Sequence, residues 1–564
     1  MKSFLTCLLM LMAAVAVAQT KINVTLDHAD AMYNCNEQAI FTVTVLNGDQ
    51  LHKEGKASIR LSNDGLTTIS TKEVDLAAEN PFTVTGTMEK PGILSLDVDV
   101  ATQPKRLHKV YGAAFEPLKI QPGVPEPEDF LNFWFEEFKK YRYLLESEPE
   151  LTPLPRLTND KVEGFKVAFA APAGKIYGFL TIPKAPGKYP AIVSVPGAGP
   201  SATEAPRLED FVYLVMNVHT YDPDIPGKTS KESYNELNKD GMYMYKNIPD
   251  REKTYFHHSI IGIYSAVVWL SLQEKVARGC IGYHGSSQGG AFGFILGANP
   301  LICAYVCNGP AMCDHLGYKQ GRLAGWPQFC RQMKNSPEIE TMAQYYDAMN
   351  FAAHFRKDVP VRVIVGLADR TCSPSSVYAA YNRIPSSDKQ IIPEIGMGHE
   401  VWPSYHKQIA WMKGYLKNRM KELQAEEQRN KPKQDEINCV SRLKQMCLAM
   451  LMFTMDNQDV MPVTDGWRKA VLPYTGAETE DFFSCPATGK PYQYIRQAIA
   501  LSKIKEPSRV ILFYEDFGNH DGKVAIAFVD GHVLSYSVDG CETIEELSEH
   551  HKLLLKAMEK EAVK

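Results

Sequence analysis

The sequence predicts a multi-domain α/β protein, with strands alternating with helices in the centre, an all-β region before it and an α+β region after it. Three observations carry this. Residues 20–118 alternate apolar and polar positions in short runs separated by turn-rich pieces. Residues 122–427 hold near-continuous apolar strands between helical stretches, the pattern of a parallel sheet covered on both faces. Residues 436–564 begin as a helix and finish in short strands. A length of 564 residues fits two to four domains. Apolar residues make up 45% and charged residues 23%, which excludes disorder as the main state. Lys plus Arg is 61, Asp plus Glu is 66, and no basic block occurs, which argues against a nucleic-acid partner. After residue 18 no uninterrupted apolar run reaches the roughly 20 residues of a membrane span.

Met1 and Lys2 form a short positive start, Leu5 to Val17 is almost wholly apolar, and Ala16-Val17-Ala18 is an A-x-A cleavage site. Residues 1–18 therefore read as a cleaved signal peptide rather than a buried helix, and the mature chain as secreted or periplasmic. Cys7 lies too early for a lipoprotein anchor. The twelve cysteines show no C-x-x-C pair, and Cys303, Cys307 and Cys313 lack metal spacing with histidine. Most read as small buried apolar residues.

The runs Lys21–Leu26, Ala39–Val45, Ser58–Leu61 and Ile93–Val100 have period two, and Asn47-Gly48-Asp49 and Ser62-Asn63-Asp64-Gly65 punctuate them. An Ig-like β-sandwich over 20–118 follows. It serves either to bind carbohydrate or as a spacer packing on the next domain, and the lack of an aromatic cluster favours the spacer. A proline-rich linker, Gln121 to Pro127, leads into an amphipathic helix from Phe130 to Phe138. Tyr189–Val195, Phe211–Val218 and Val361–Gly366 are apolar strands. A helix from Tyr405 to about Glu427 closes the central domain, and the charged residues 428–435, with Pro432, read as a linker.

Gly285-Ser286-Ser287-Gln288-Gly289 is a G-x-S-x-G sequence between a short strand, Gly279–His284, and a glycine-rich helix, Gly290–Gly297. Strand, sharp turn and helix are the context of the nucleophile elbow of an α/β-hydrolase core. Ser287 holds the central position; Ser286 reads as a turn residue. A serine hydroxyl needs a base oriented by an acid. Asp369 follows the strand Val361–Gly366, and His399 lies in Gly396-Met397-Gly398-His399, after the strand-like Gln390–Ile395. The order Ser, Asp, His is that of the fold class. Taken singly, Asp369 could be a helix cap and His399 a surface histidine. Gln288 and Ala198, in the loop Pro196-Gly197-Ala198-Gly199, supply backbone donors for an oxyanion hole. His257 and His258 read as packing residues in a helix, and Asp314 and His315 as a second pair that fits the order less well.

At these residues the chain resembles the acetylxylan esterase and cephalosporin-C deacetylase family of α/β-hydrolases. The blocks that carry the likeness include Pro127-Glu128-Asp129-Phe130 to Phe133-Trp134, Pro196-Gly197, Ser287-Gln288-Gly289-Gly290, Gly321-Arg322 to Gly325-Trp326-Pro327, Tyr345-Tyr346-Asp347, Asp369 to Cys372, Tyr378–Asn382 and Gly398-His399. They span residues 120 to 420. The resemblance implies removal of acetyl groups from acetylated xylan or xylo-oligosaccharides, with Ser287, Asp369 and His399 as the triad and no metal or cofactor. Two positions depart from the family: Ser286 stands where glycine is usual, and Asn217-Val218-His219-Thr220-Tyr221-Asp222 stands near the place of an Arg-Gly-Gln motif.

In the last region, Asn438-Cys439-Val440-Ser441-Arg442-Leu443 leads to Cys485-Pro486, then His520 and, ten positions on, Asp530-Gly531. This is similar to the soluble part of pseudopilin-like proteins with an H-x9-D-G signature, although the hydrophobic pilin helix is absent. His520 and Asp530 are two ligands, too few for a metal, and read as structural. The same triad would also serve a general carboxylesterase or a serine peptidase. A third reading is a surface binding or assembly protein with a vestigial hydrolase.

Overall fold

The computed structural model describes residues 20–102, 106–200, 203–462, 466–497, 499–517, 519–520 and 522–560. The expected signal peptide, residues 1–18, lies outside the described residues. The chain divides into two units, one ending at Met420 and the other starting at Lys421.

The first unit opens with nine strands: Thr20–Leu26 (β1), Met32–Tyr33 (β2), Ala39–Asn47 (β3), Gln50–Leu51 (β4), Lys56–Asn63 (β5), Thr67–Asp75 (β6), Phe82–Gly86 (β7), Gly92–Val100 (β8) and Leu107–Phe115 (β9). They form two sheets: β1-β3-β4 with β7 on β3, and β2-β9-β8-β5-β6. Val24, Phe41, Val43 and Val45 of the first meet Ile59, Leu61, Leu94, Leu96 and Val98 of the second in one apolar cluster. These are the inward positions of the period-two runs. The alternation in β8 would leave its other face to water, yet Ser95 and Asp97 are buried. They meet Arg370 of the central region: its guanidinium donates to Ser95 Oγ at 3.1 Å and to Asp97 Oδ2 at 3.0 Å.

The central region carries a second set of nine strands: Glu150–Pro153 (β10), Val162–Ala171 (β11), Gly174–Pro183 (β12), Tyr189–Val195 (β13), Val212–Met216 (β14), Val276–Ser286 (β15), Ile302–Asn308 (β16), Val361–Gly366 (β17) and Lys389–Glu394 (β18). Their order in the sheet is β10-β11-β12-β14-β13-β15-β16-β17-β18. The expectation of a parallel sheet needs correction. The sheet is mixed: β10, β11, β12 and β14 pair antiparallel, and the run from β14 to β18 is parallel. A tight turn joins β11 to β12, and such a connection allows only antiparallel pairing. The parallel strands Ala191–Val195 and Val361–Val365 are buried almost throughout, as their unbroken apolar sequence requires. From β13 the chain crosses outward to β14 and then returns to β15 on the other side of β13. The loops after β13 and β15 therefore diverge, which opens a crevice at the carboxyl ends of these strands.

A helix runs unbroken from Pro403 to Asp456, through the segment 428–435 expected to be a linker. Gln, Arg and Lys within this stretch, with Ala425, Glu426, Glu427 and Glu436 beside it, are good helix formers whose summed preference outweighs one proline. In the second unit Leu443, Met446 and Met450 of this helix pack with Trp467, Phe483, Leu512, Phe513, Ala525 and Ala527. Four antiparallel strands, Gln493–Tyr494, Ile511–Tyr514, Lys523–Phe528 and Val533–Ser537, form its sheet in that order. Among the described residues no helix is long and apolar enough to cross a membrane.

Candidate active site

Strand β15 ends at Ser286, whose partner in the neighbouring parallel strand is Asn308. Ser286 is thus a strand residue, not the expected turn residue. Asn308 Nδ2 also donates to Ser286 Oγ at 2.9 Å. Ser287 follows at φ 56°, ψ −117°, a conformation costly for a residue with a Cβ. Three backbone bonds hold it there. Its N–H donates to Asn308 O at 2.8 Å, and its carbonyl accepts from Ala291 and Ala311 at 3.0 Å each. The glycine two residues on is a matter of space: a Cβ on Gly289 would fall 1.8 Å from Val195 O. The helix Gln288–Ile295 therefore presses against β13, with its positive end beneath Ser287.

His399 sits in the loop after β18. Its Nε2 lies 3.0 Å from Ser287 Oγ and its Nδ1 lies 2.7 Å from Asp369 Oδ2. The tautomer this network requires carries the proton on Nδ1 and accepts the serine proton at Nε2. The Asp369 carboxylate is buried, and its other oxygen accepts the backbone N–H groups of Thr371 at 2.7 Å and Cys372 at 2.9 Å. Both oxygens are committed, so the carboxylate cannot swing away. The acid and histidine loops are also tied to one another, Ala368 N donating to Met397 O at 3.0 Å. Asp369, Cys372 and His399 lie close enough to share a cation. Their hydrogen bonds already use both oxygens of the carboxylate and both ring nitrogens.

On the opposite side of Ser287 lies the loop after β13. A Cβ on Gly197 would stand 3.6 Å from Ser287 Cβ, so the backbone entering Ala198 runs directly beside the nucleophilic position. The Gln288 side chain is buried, and its Oε1 accepts from the Tyr243 hydroxyl.

Sequence reasoning did not single out the groups that brace this loop. His219 lies past the end of β14, in the segment Asn217–Asp222, and its Nε2 is 2.8 Å from Gly199 O. Tyr221, Tyr234, Tyr243 and Tyr255 pack around its ring. Burial pushes His219 down to about 4, so at neutral pH the ring is uncharged and donates through Nε2. The available signal was its position at the carboxyl end of a strand next to β13. Cys372, with Sγ 4.0 Å from Ser287 Oγ, and Trp402, packed under Gly309 and Gly366, complete the surroundings.

His257, His258 and Asp314 have partners of their own, whereas His315 is buried and bonded through its backbone N–H, which donates to Asp347 Oδ2 at 2.7 Å. His257 Nε2 meets Glu137 Oε2 at 2.7 Å, and His258 Nδ1 accepts from Ala173 N at 3.0 Å, both in the buried helix Tyr255–Leu272. Asp314 is paired with Arg322 and accepts from Gly123 N at 2.7 Å.

A mixed sheet with this crossover and a serine elbow at its carboxyl edge defines an α/β-hydrolase, and the chain is a carboxylic ester hydrolase. It belongs to the acetyl xylan esterase (AXE1) family, whose model matches residues 116–415. Among curated proteins it is 29% identical over 403 residues to the acetyl esterase Axe7A of Xylanibacter ruminicola, covering 69% of this chain and 90% of that one. Among solved structures it is similar to acetyl xylan esterase 1 of Thermoanaerobacterium sp. JW/SL YS485, with 23% identity, TM-score 0.46, and 53% of this chain and 98% of that one covered. The acetyl xylan esterase of Paenibacillus sp. R4 follows with 18% identity, TM-score 0.42, and 53% and 98% coverage.

Proposed function

We propose that this chain is an exported serine esterase that removes O-acetyl groups from acetylated xylan or xylo-oligosaccharides. The observation that carries the reading is the line Ser287–His399–Asp369, with contacts of 3.0 and 2.7 Å. In this reading His399 Nε2 takes the Ser287 proton as Oγ attacks the acetyl carbonyl. The carbonyl π pair moves onto oxygen, where the backbone N–H groups of Gln288 and Ala198 receive it. Asp369 holds the imidazole in its tautomer and offsets the charge of the imidazolium. The intermediate collapses, His399 returns the proton to the leaving sugar oxygen, and an acetyl-enzyme remains. Water, deprotonated by His399, then releases acetate and restores the serine. The acetyl class rests on the family and on the relative Axe7A. Export rests on the leader-like segment Met1–Ala18. Residues 20–118 act as a β-sandwich bracing the acid loop, and residues 436–564 as a separate pilin-like module.

The test is acetate release from acetylated xylo-oligosaccharides by the mature chain beside Ser287→Ala, together with labelling by a fluorophosphonate. The expected result is turnover that falls about 10⁴-fold or more in the variant, and labelling that disappears with it. Labelling of Ser287 without acetate release would keep the esterase and discard the acetylated xylan substrate. Acetate release unaffected by Ser287→Ala would overturn the serine mechanism.

A further inference from the structure

The second unit holds a cluster that the ester chemistry does not use. Cys439 lies on the helix Pro403–Asp456, Cys485 in the turn after Phe483, Glu515 just past the strand Ile511–Tyr514, and His520 before the strand Lys523–Phe528. All four are buried, and one donor atom from each lies within 4.8 Å of every other. The two sulfurs are 2.8 Å apart, and His520 Nε2 is 3.2 Å from Glu515 Oε2.

The donors point inward for definite reasons. Glu515 Oε1 accepts from Ala525 N at 2.6 Å, which turns Oε2 toward the sulfurs. Cys485 is presented by a tight loop: its N–H donates to Lys490 O, and its carbonyl accepts from Gly489 N, both at 2.8 Å. Glu515 Oε2 and His520 Nε2 face each other without a well-formed hydrogen bond, although their side chains are only 1% and 6% exposed. A buried carboxylate oxygen and a buried ring nitrogen left so are expensive. Asp530, the other polar residue of the H-x9-D-G signature, is turned away and accepts from His532 N at 3.2 Å.

We propose that Cys439, Cys485, Glu515 and His520 bind one Zn²⁺ ion that ties the long helix to the sheet of the second unit. Two thiolates, one imidazole nitrogen and one carboxylate oxygen form a closed four-ligand set of the borderline-soft kind zinc takes. Calcium and magnesium prefer oxygen donors throughout. On binding, both thiols release their protons to solvent, the carboxylate binds ionised and the imidazole neutral. Tetrahedral zinc sets its ligand atoms about 3.3–3.8 Å apart. The sulfurs, 2.8 Å apart, open by about 1 Å, and separations that all lie within 4.8 Å need close by no more than about 1.5 Å. Four ligands from distant parts of the chain would fix a small core, as structural zinc does.

The test uses the full mature chain, purified without a histidine tag or chelator. Metal content is read by plasma mass spectrometry and free thiols by titration after denaturation. The expected result is about one zinc per chain, lowered at least about tenfold in Cys439→Ser and in His520→Ala. Fluorophosphonate labelling of Ser287 should be unchanged in both, reporting an intact hydrolase. Because either variant could lose its local fold, the wild type is also exchanged with Co²⁺. Thiolate-to-cobalt charge-transfer absorption with the intense visible bands of a four-coordinate ion supports the site. A Cys439–Cys485 disulfide, seen as a chain lighter by two hydrogens, overturns it. So does a metal-free chain with both thiols titratable.

Discussion

The bonds around Asp369 bear directly on how it can be probed. Its buried carboxylate takes two backbone N–H groups on one oxygen and the imidazole on the other. Asp369→Asn keeps the shape but presents an NH₂ toward the backbone donors or toward the imidazole. The first orientation sets it against two backbone N–H groups, and the second opposes the Nδ1–H tautomer. The expected result is kcat on 4-nitrophenyl acetate lower by about 10⁴ with KM little changed. His219 works one step away. It touches the carbonyl of Gly199, next to the expected oxyanion donor Ala198. His219→Phe keeps the ring but removes the donor and leaves a carbonyl unpaired. We expect kcat to fall about tenfold, roughly 1.4 kcal/mol, with KM changed less than kcat. A fall confined to stability would reduce His219 to packing.

At the scale of elements, the loop that carries Asp369 is built against the N-terminal sheets. A Cβ on Gly112 of β9 would stand 2.0 Å from Leu367 O, a backbone atom with nowhere to go. Asp64, in the turn after β5, accepts the Ser375 N–H at 3.0 Å and the Ser375 hydroxyl, at the start of the helix Pro374–Arg383. Gly112→Ala is therefore expected to lower stability by about 1–3 kcal/mol and to reduce kcat by displacing the acid loop. Gly414→Ala, in the helix Pro403–Asp456 with nothing within 4 Å of its Cβ, should instead stabilise by about 1 kcal/mol. Urea unfolding followed by fluorescence separates the two. The sequence made individual strands readable because their periodicity is local. It did not make these contacts readable: Asp64 and Ser375 are 311 residues apart, and no pattern in either segment encodes the other. The polar alternation of β8 was visible, but that it faces Arg370 rather than water was not. The continuous helix through 428–435 is not legible in the sequence, because Pro432 is a local break signal and the helix is sustained by the residues on both sides of it.

For the molecule as a whole, the buried histidines set the response to acid. Burial pushes His219 and His258 down to about 4 and His284 and His315 down to about 3. Their unfolded values lie near 6.5, so below about that pH the unfolded chain binds protons that the native one refuses. Their contribution is present above pH 6.5 and is lost as pH falls toward 4. Asp64 and Asp347, pushed up by burial to about 6 and about 7, act in the opposite sense, favouring the native state as pH falls. Four imidazoles outweigh two carboxyls, so the urea midpoint should drop steeply between pH 7 and pH 5. A flat profile would mean that these rings are solvated. The elbow serine, the acid and the histidine were legible because each follows a strand in the expected order, and order along the chain is what a sequence records. The grouping of Cys439, Cys485, Glu515 and His520 was not, since its spacing belongs to no short motif and only the fold brings the four together.

The seam between the N-terminal sheets and the acid loop also constrains ancestry. Arg370 reaches Ser95 and Asp97, and Gly65 lies where any side chain would strike that guanidinium. A recombination event that replaced residues 20–115 with another lineage's β-region would strand Arg370 beside the wrong surface and disturb the residue next to Asp369. The first four hundred residues are therefore expected to pass between genomes as one heritable block, with substitutions on the two sides of the seam accumulating in step.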